Sequence, residues 1–110
     1  MLLPAGEQAV VEDAKLLDYV LNPEHPVGRH HAGLFERLLG ISRVNYEVLK
    51  EQLVHAAMSV EVAPGRPSPF GDKFEMRFLV HGPLGTRRVL AVWMREEGQT
   101  SPRLITCYVE

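Results

Sequence analysis

The spacing of apolar residues along the chain changes once, near residue 59. Before that point they recur every third or fourth position, the period of a helix face; after it they recur every second position, the period of a strand. The first helix is predicted over residues 13–21. Ala14, Leu17 and Leu21 share its face, Val10 lies a turn earlier, and Asp13 caps its start. Pro23, Pro26 and Gly28 break the pattern and make a rigid connection of Asn22-Pro23-Glu24-His25-Pro26-Val27-Gly28. A second helix is predicted over residues 29–39, with Ala32, Phe35, Leu38 and Leu39 apolar and Gly40 at the C-terminal cap. The third is predicted over residues 45–58 through Tyr46, Leu49, Leu53 and Ala56, with Asn45 as N-cap.

Past Ser59, Val60 and Val62 suggest a short strand, and the proline- and glycine-rich stretch 63–72 reads as a loop. Residues 73–81 alternate cleanly. Phe74, Met76, Phe78 and Val80 face one way, and Lys73, Glu75, Arg77 and His81 the other. Gly82-Pro83-Leu84-Gly85 turns this strand into a hairpin. The partner strand, residues 86–95, is apolar on both faces from Val89 to Met94 and is predicted to be central. After a turn over residues 96–102, the last strand covers 103–109, with Ile105, Cys107 and Val109 opposed to Leu104, Thr106 and Tyr108. Residues 1–8 read as an arm or lead-in strand. The predicted fold is α+β: three N-terminal helices packed on one face of a three- to four-stranded antiparallel sheet. The other face stays open, carrying Arg77 and His81 and, from the last strand, Thr106 and Tyr108.

Length and composition narrow this picture. At 110 residues the chain is expected to form a single domain, helical over residues 10–58 and sheet over 59–110. With 45% hydrophobic and 24% charged residues it has ordinary globular usage. A formal net charge of −2 argues against a protein that coats nucleic acid generally, while leaving room for a local basic patch. Cys107 is the only cysteine, so one chain can form neither a disulfide nor a cysteine-based zinc site, and a buried, reduced thiol in a cytoplasmic protein is expected. No apolar run is long enough to span a membrane, and the first residues lack a secretory pattern.

The run Lys15-Leu16-Leu17-Asp18-Tyr19-Val20-Leu21-Asn22-Pro23, then His25-Pro26-Val27-Gly28-Arg29-His30-His31-Ala32, Phe35 and Leu39-Gly40, resembles a bacterial group, domain-of-unknown-function family 6883. Trp93 and the ending Pro102-Arg103-Leu104-Ile105-Thr106-Cys107-Tyr108 resemble it too, so the likeness reaches from about Val11 to Tyr108. The family is expected to carry lysine where this chain has His31, which would replace a fixed cation by a group that titrates near neutral pH. Its order of helices and sheet is also similar to the small RNase and toxin fold of barnase, EndoU, colicin-type nucleases and RelE, an analogy of fold alone. That analogy implies that RNA would lie on the open sheet face.

Candidate chemistry gathers in two places. Arg29, His30 and His31 open the second helix, where unpaired backbone N–H groups and the helix dipole favour an anion. An exposed, solvated helix start is the plainer reading, just as a rigid structural corner is the plainer reading of His25 and its prolines. On the sheet, Arg77 and Arg88 can hold a phosphate, His81 can join His31 in acid–base work, and Thr106 and Tyr108 can hydrogen-bond the substrate. Ordinary cross-strand pairing on a solvated face is the alternative there. The histidines have no metal-ligand spacing, and no cofactor or metal is expected. Trp93 reads as core.

The leading expectation is thus a metal-independent ribonuclease or toxin-like RNA-binding domain. Its catalytic set is His31, His81 and Thr106, and its substrate-binding set is Arg29, His30, Arg77, Arg88 and Tyr108. The competing expectation is a non-catalytic protein-interaction module acting with a small partner encoded by a neighbouring gene. A homodimer through an open sheet edge, or through residues 89–94, is a further possibility.

Overall fold

The change of period at residue 59 is the boundary between two layers. In the computed structural model, which describes residues 1–110, α1 begins at Asp13–Lys15 and widens into a π turn at Leu16–Val20. Likewise α2 runs through Arg29–Leu34 and ends in a π turn at Phe35–Leu39, and α3 is Glu47–Ser59. The sheet consists of β1 (Ala63–Pro64), β2 (Gly71–Gly82), β3 (Gly85–Glu96) and β4 (Arg103–Val109), antiparallel in the order β1-β2-β3-β4. The protein is α+β, with its three helices N-terminal to the sheet. No helix is long and apolar enough to cross a membrane.

The helices bury their apolar stripes on one side of the sheet. Leu16, Val20, Phe35, Leu39, Leu49 and Leu53 meet Phe74, Met76, Val80, Val89, Ala91 and Trp93 in one core of 22 residues. Each large aliphatic or aromatic side chain removed from water there contributes about 1.5–3 kcal/mol. Trp93 is wholly buried as expected and stands opposite Phe74 in the β2–β3 register. Lys50 joins α3 to α1: its ammonium donates to Asp13 and holds that carboxyl below the usual carboxylate range.

Several sequence-based details differ. The π turn of α1, closed by Leu21 N–H donating to Leu16 O at 2.8 Å, rotates the buried face. Leu16, Val20 and Leu21 are inside, while Ala14 and Val10 are exposed. Asp13 makes no cap hydrogen bond. Asn45 does not cap α3 either; it closes a capping box with Ser42 around the 3₁₀ turn Arg43–Asn45. Glu61, between Val60 and Val62, bridges to Leu2 of the N-terminal arm instead of to β2, and the strand that pairs with β2 is Ala63–Pro64, inside the expected loop. In β4 the alternation slips at a bulge: Val92 pairs with Thr106 and Trp93 with Leu104, leaving Ile105 unpaired. Leu104 therefore joins Cys107 and Val109 in the core, and Ile105 is half-buried outside it.

The hairpin tip is clamped to the end of α2. Gly40 takes φ 71° to end that helix, and Leu84 N–H donates to Leu39 O at 3.0 Å. A Cβ at Gly82 would stand 2.1 Å from the Leu39 carbonyl oxygen, so only glycine allows this approach.

Candidate functional site on the open sheet face

Strand register arranges the open face as rows, because residues directly opposite each other point to the same side. One row is Arg77, Leu90 and Tyr108; the next holds Leu79 and Arg88 with Glu110 alongside; on the other side lie Glu75, Val92 and Thr106. Leu90 and Met94 are nearly buried on this face, although no helix core includes them. The charged side chains around them shield the apolar middle of β3 with their stems.

Arg77 and Arg88 converge on one carboxylate. Arg77 Nε lies 3.2 Å and Arg88 Nε 3.7 Å from Glu110 Oε1, and Arg77 Nη1 lies 3.6 Å from Glu75 Oε1. A carboxylate thus occupies the place between the two guanidinium groups that the sequence reading gives to a phosphate. The charges of the face balance: Lys73, Arg77, Arg88 and Arg103 stand against Glu75, Glu96 and Glu110 together with Glu12, and Arg103 is itself paired, its Nε 3.5 Å from Glu12 Oε1 and its Nη1 3.7 Å from Glu96 Oε1.

His31 reaches this face from α2. Its ring stacks on Tyr108 with centroids 4.8 Å apart and planes 29° apart. Its Nδ1 is shut off from solvent and has no hydrogen-bond partner. His30 makes an edge contact with His31 at 5.8 Å and is exposed, as is Arg29. The structure therefore brings His31, Tyr108, Thr106, Arg77 and Arg88 to one face, with Arg29 and His30 beside it at the start of α2. Tyr108 and Arg77 are two strands apart, about 10 Å between their backbones.

His81 is elsewhere. It sits by the hairpin turn, its Nδ1 2.8 Å from Thr86 Oγ1, and its place four residues beyond Arg77 puts it about 13 Å further along β2.

The corner before α2 is tied internally. His25 Nδ1 accepts from Val27 N–H and Gly28 N–H, each at 3.0 Å, and His25 O accepts from Arg29 N–H at 3.0 Å. The His25 ring also meets Tyr19 edge-on at 4.7 Å. The donors expected to cradle an anion at Gly28 and Arg29 are thereby engaged by the loop itself. Cys107 faces the core, where burial pushes its thiol up to about 12. No group of three His, Cys, Asp or Glu side chains is placed to hold a metal.

Glu110 and Glu75 are the members of the site that sequence reading missed. Glu110 extends the alternation of Thr106 and Tyr108 and so belongs to the open face. Its pairing with Arg77, 33 positions away, depends on strand order.

No curated protein and no solved structure matches the chain. Residues 2–110 match the family model of DUF6883, a domain of unknown function, and the chain belongs to that family.

Proposed function

We propose that the open sheet face binds RNA and cleaves it without a metal, with His31 as the acid–base group. The observation that carries this reading is the stacking of His31, from the helical half, on Tyr108, on the same sheet face as Arg77 and Arg88.

In this reading Arg77 and Arg88 release Glu110 and take the scissile phosphate. Thr106 and Tyr108 hydrogen-bond the nucleotide, and Arg29 and His30 hold the adjoining backbone. His31 accepts the proton of the 2′-hydroxyl as the 2′-oxygen bonds to phosphorus. The phosphorus–5′-oxygen bond breaks, a water protonates the leaving oxygen and regains its proton from His31, and a 2′,3′-cyclic phosphate remains. His81, at the hairpin end, has no part in this step. Removing a general base costs about 10²–10⁴-fold in rate.

The test is incubation of the purified protein with tRNA and total RNA in chelator. Cleavage is expected for the wild type and for His81→Ala, and a loss of at least a hundredfold for His31→Ala. Absence of cleavage at high protein concentration, with wild type and His31→Ala indistinguishable, refutes the catalytic reading. RNA binding without cleavage would keep the face as an RNA-binding surface, and failure of both would favour the non-catalytic interaction module.

A further inference from the structure

The opposite margin of the sheet carries a second feature, independent of the RNA reading. Along one edge β2 pairs with β3 throughout. At its other edge, alternate residues turn their backbone N–H and C=O groups outward. Lys73 O accepts there from Gly65 N–H at 2.8 Å, and β1 covers Glu75. At the far end Gln52 of α3 imitates a strand. Its Nε2 donates to His81 O at 2.8 Å, and its Oε1 accepts from His81 N–H at 2.9 Å. Between these two covers lie Arg77 and Leu79. They share the outward parity of Lys73, Glu75 and His81, both are exposed, and their outward groups make no hydrogen bond within the protein.

A groove of about 610 Å³ runs beside this gap, between α3 and β2. It is lined by Ala56, Val60, Phe78 and Leu79, with Glu51 and His55 among the polar residues that border it. Leu79 is 59% exposed, a large apolar side chain on an unpaired edge. Natural sheets usually blunt such edges, and here the blunting by β1 and Gln52 stops short of Arg77 and Leu79.

We infer that this gap receives a short extended segment of a partner protein as an added β-strand, with one apolar side chain of that segment filling the groove. The unpaired N–H and C=O groups of Arg77 and Leu79 define the occupant as a strand, since an antiparallel segment meets all of them from alternate residues. The residue between those two stands opposite Phe78 and points to the same side, into the groove. The matching sequence is therefore an apolar residue (Val, Ile, Leu or Phe) flanked by two residues that lie on the open face beside Leu79 and Arg77.

A second copy of this chain does not fit. Pairing Arg77 with the Leu79 of another copy would lay its Glu75 opposite His81. The β1 strand attached to that Glu75 would then occupy the space of the first copy's β2. Only a narrow segment that enters and leaves the edge between β1 and Gln52 is compatible.

The test uses the full chain and a displayed library of random twelve-residue peptides. Selected binders are expected to share an apolar residue at a fixed position and to protect the amides of Arg77 and Leu79 from hydrogen exchange. Leu79→Pro removes an outward N–H that serves no bond in the β2–β3 ladder, so the variant should fold, as its melting curve will show, and bind at least tenfold more weakly. Ser59→Trp, which fills the groove from its exposed border, should weaken binding to a similar degree while leaving the edge intact. Failure to select any peptide, protection elsewhere, or equal binding by both folded variants overturns the inference. Concentration-dependent protection of the same amides without peptide would assign the edge to a second copy and overturn it as well. None of these outcomes bears on RNA cleavage, which is read separately.

Discussion

Replacing Glu110 by Gln should make the open face bind RNA more tightly. In the resting structure the Glu110 carboxylate lies 3.2 Å from Arg77 Nε and 3.7 Å from Arg88 Nε, so an incoming phosphate must displace it. The side chains of Arg77, Arg88 and Glu110 keep 41%, 66% and 30% of their exposure, which places both pairs in the solvent-screened regime. Exposed pairs are worth about 0.2–1 kcal/mol each. Releasing two of them recovers about 0.4–2 kcal/mol, or about twofold to thirtyfold in affinity. Because Arg77 and Arg88 meet phosphate in wild type and variant alike, the variant removes one opposing carboxylate and should steepen the slope of log affinity against log salt by no more than about 0.7 for a single strand. The assay is fluorescence polarisation of a labelled single-stranded RNA titrated at several salt concentrations. Glu61→Gln changes the net charge equally, on an exposed residue beside the N-terminal arm, and serves as the control. If Glu110→Gln leaves affinity and slope equal to those of the control, Arg77 and Arg88 do not face the RNA and the assignment of the clamp is refuted.

Two structural predictions stand apart from function. His25→Ala leaves Val27 and Gly28 N–H without their acceptor and should cost about 1–2 kcal/mol, as loss of a helix cap does, which for a chain of this size lowers Tm by about 4–9 °C; an unchanged Tm would show that the corner is held by its prolines alone. Cys107, pushed up to about 12 from an ordinary value of 9.0, keeps its proton in the folded chain while the unfolded chain loses it above pH 9. Its contribution is complete below pH 9 and falls between pH 9 and 12 by about 1.4 kcal/mol per pH unit. Urea melts of wild type and Cys107→Ala from pH 8 to 10.5 should diverge in slope accordingly, and parallel pH profiles would refute the burial of the thiol.

The parts of the fold legible in the sequence were those set by local pattern. The two faces of β2, the central place of β3 and the bounds of β4 follow from alternation and from the turn at Pro83-Leu84. The errors lie where tertiary packing overrides local pattern. Leu16, not Leu17, is buried because a π turn changes the phase of α1. Val60 and Val62 form no strand of their own, because the segment between α3 and β1 makes only a single bridge, from Glu61 to Leu2 of the N-terminal arm. Ile105 and Leu104 exchange faces at a bulge that no alternation rule contains.

The candidate site divides in the same way. Periodicity alone places Arg77, Thr106 and Tyr108 on the open face, since a strand offers each side chain only two directions, while the register Leu79–Arg88 adds Arg88. The pairing of His31 with Tyr108, 77 positions apart, the meeting of both arginines at Glu110 and the removal of His81 to the hairpin end are decided by which helix lies at which sheet edge. The free edge at Arg77 and Leu79 has the same origin. The sequence alone determined that β2 is a strand with one polar face. Only the packing of α3, which carries Gln52 to His81, and the short pairing of β1 decided how much of its backbone stays unpaired, because hydrogen bonding between strands is a property of neighbours brought together by folding.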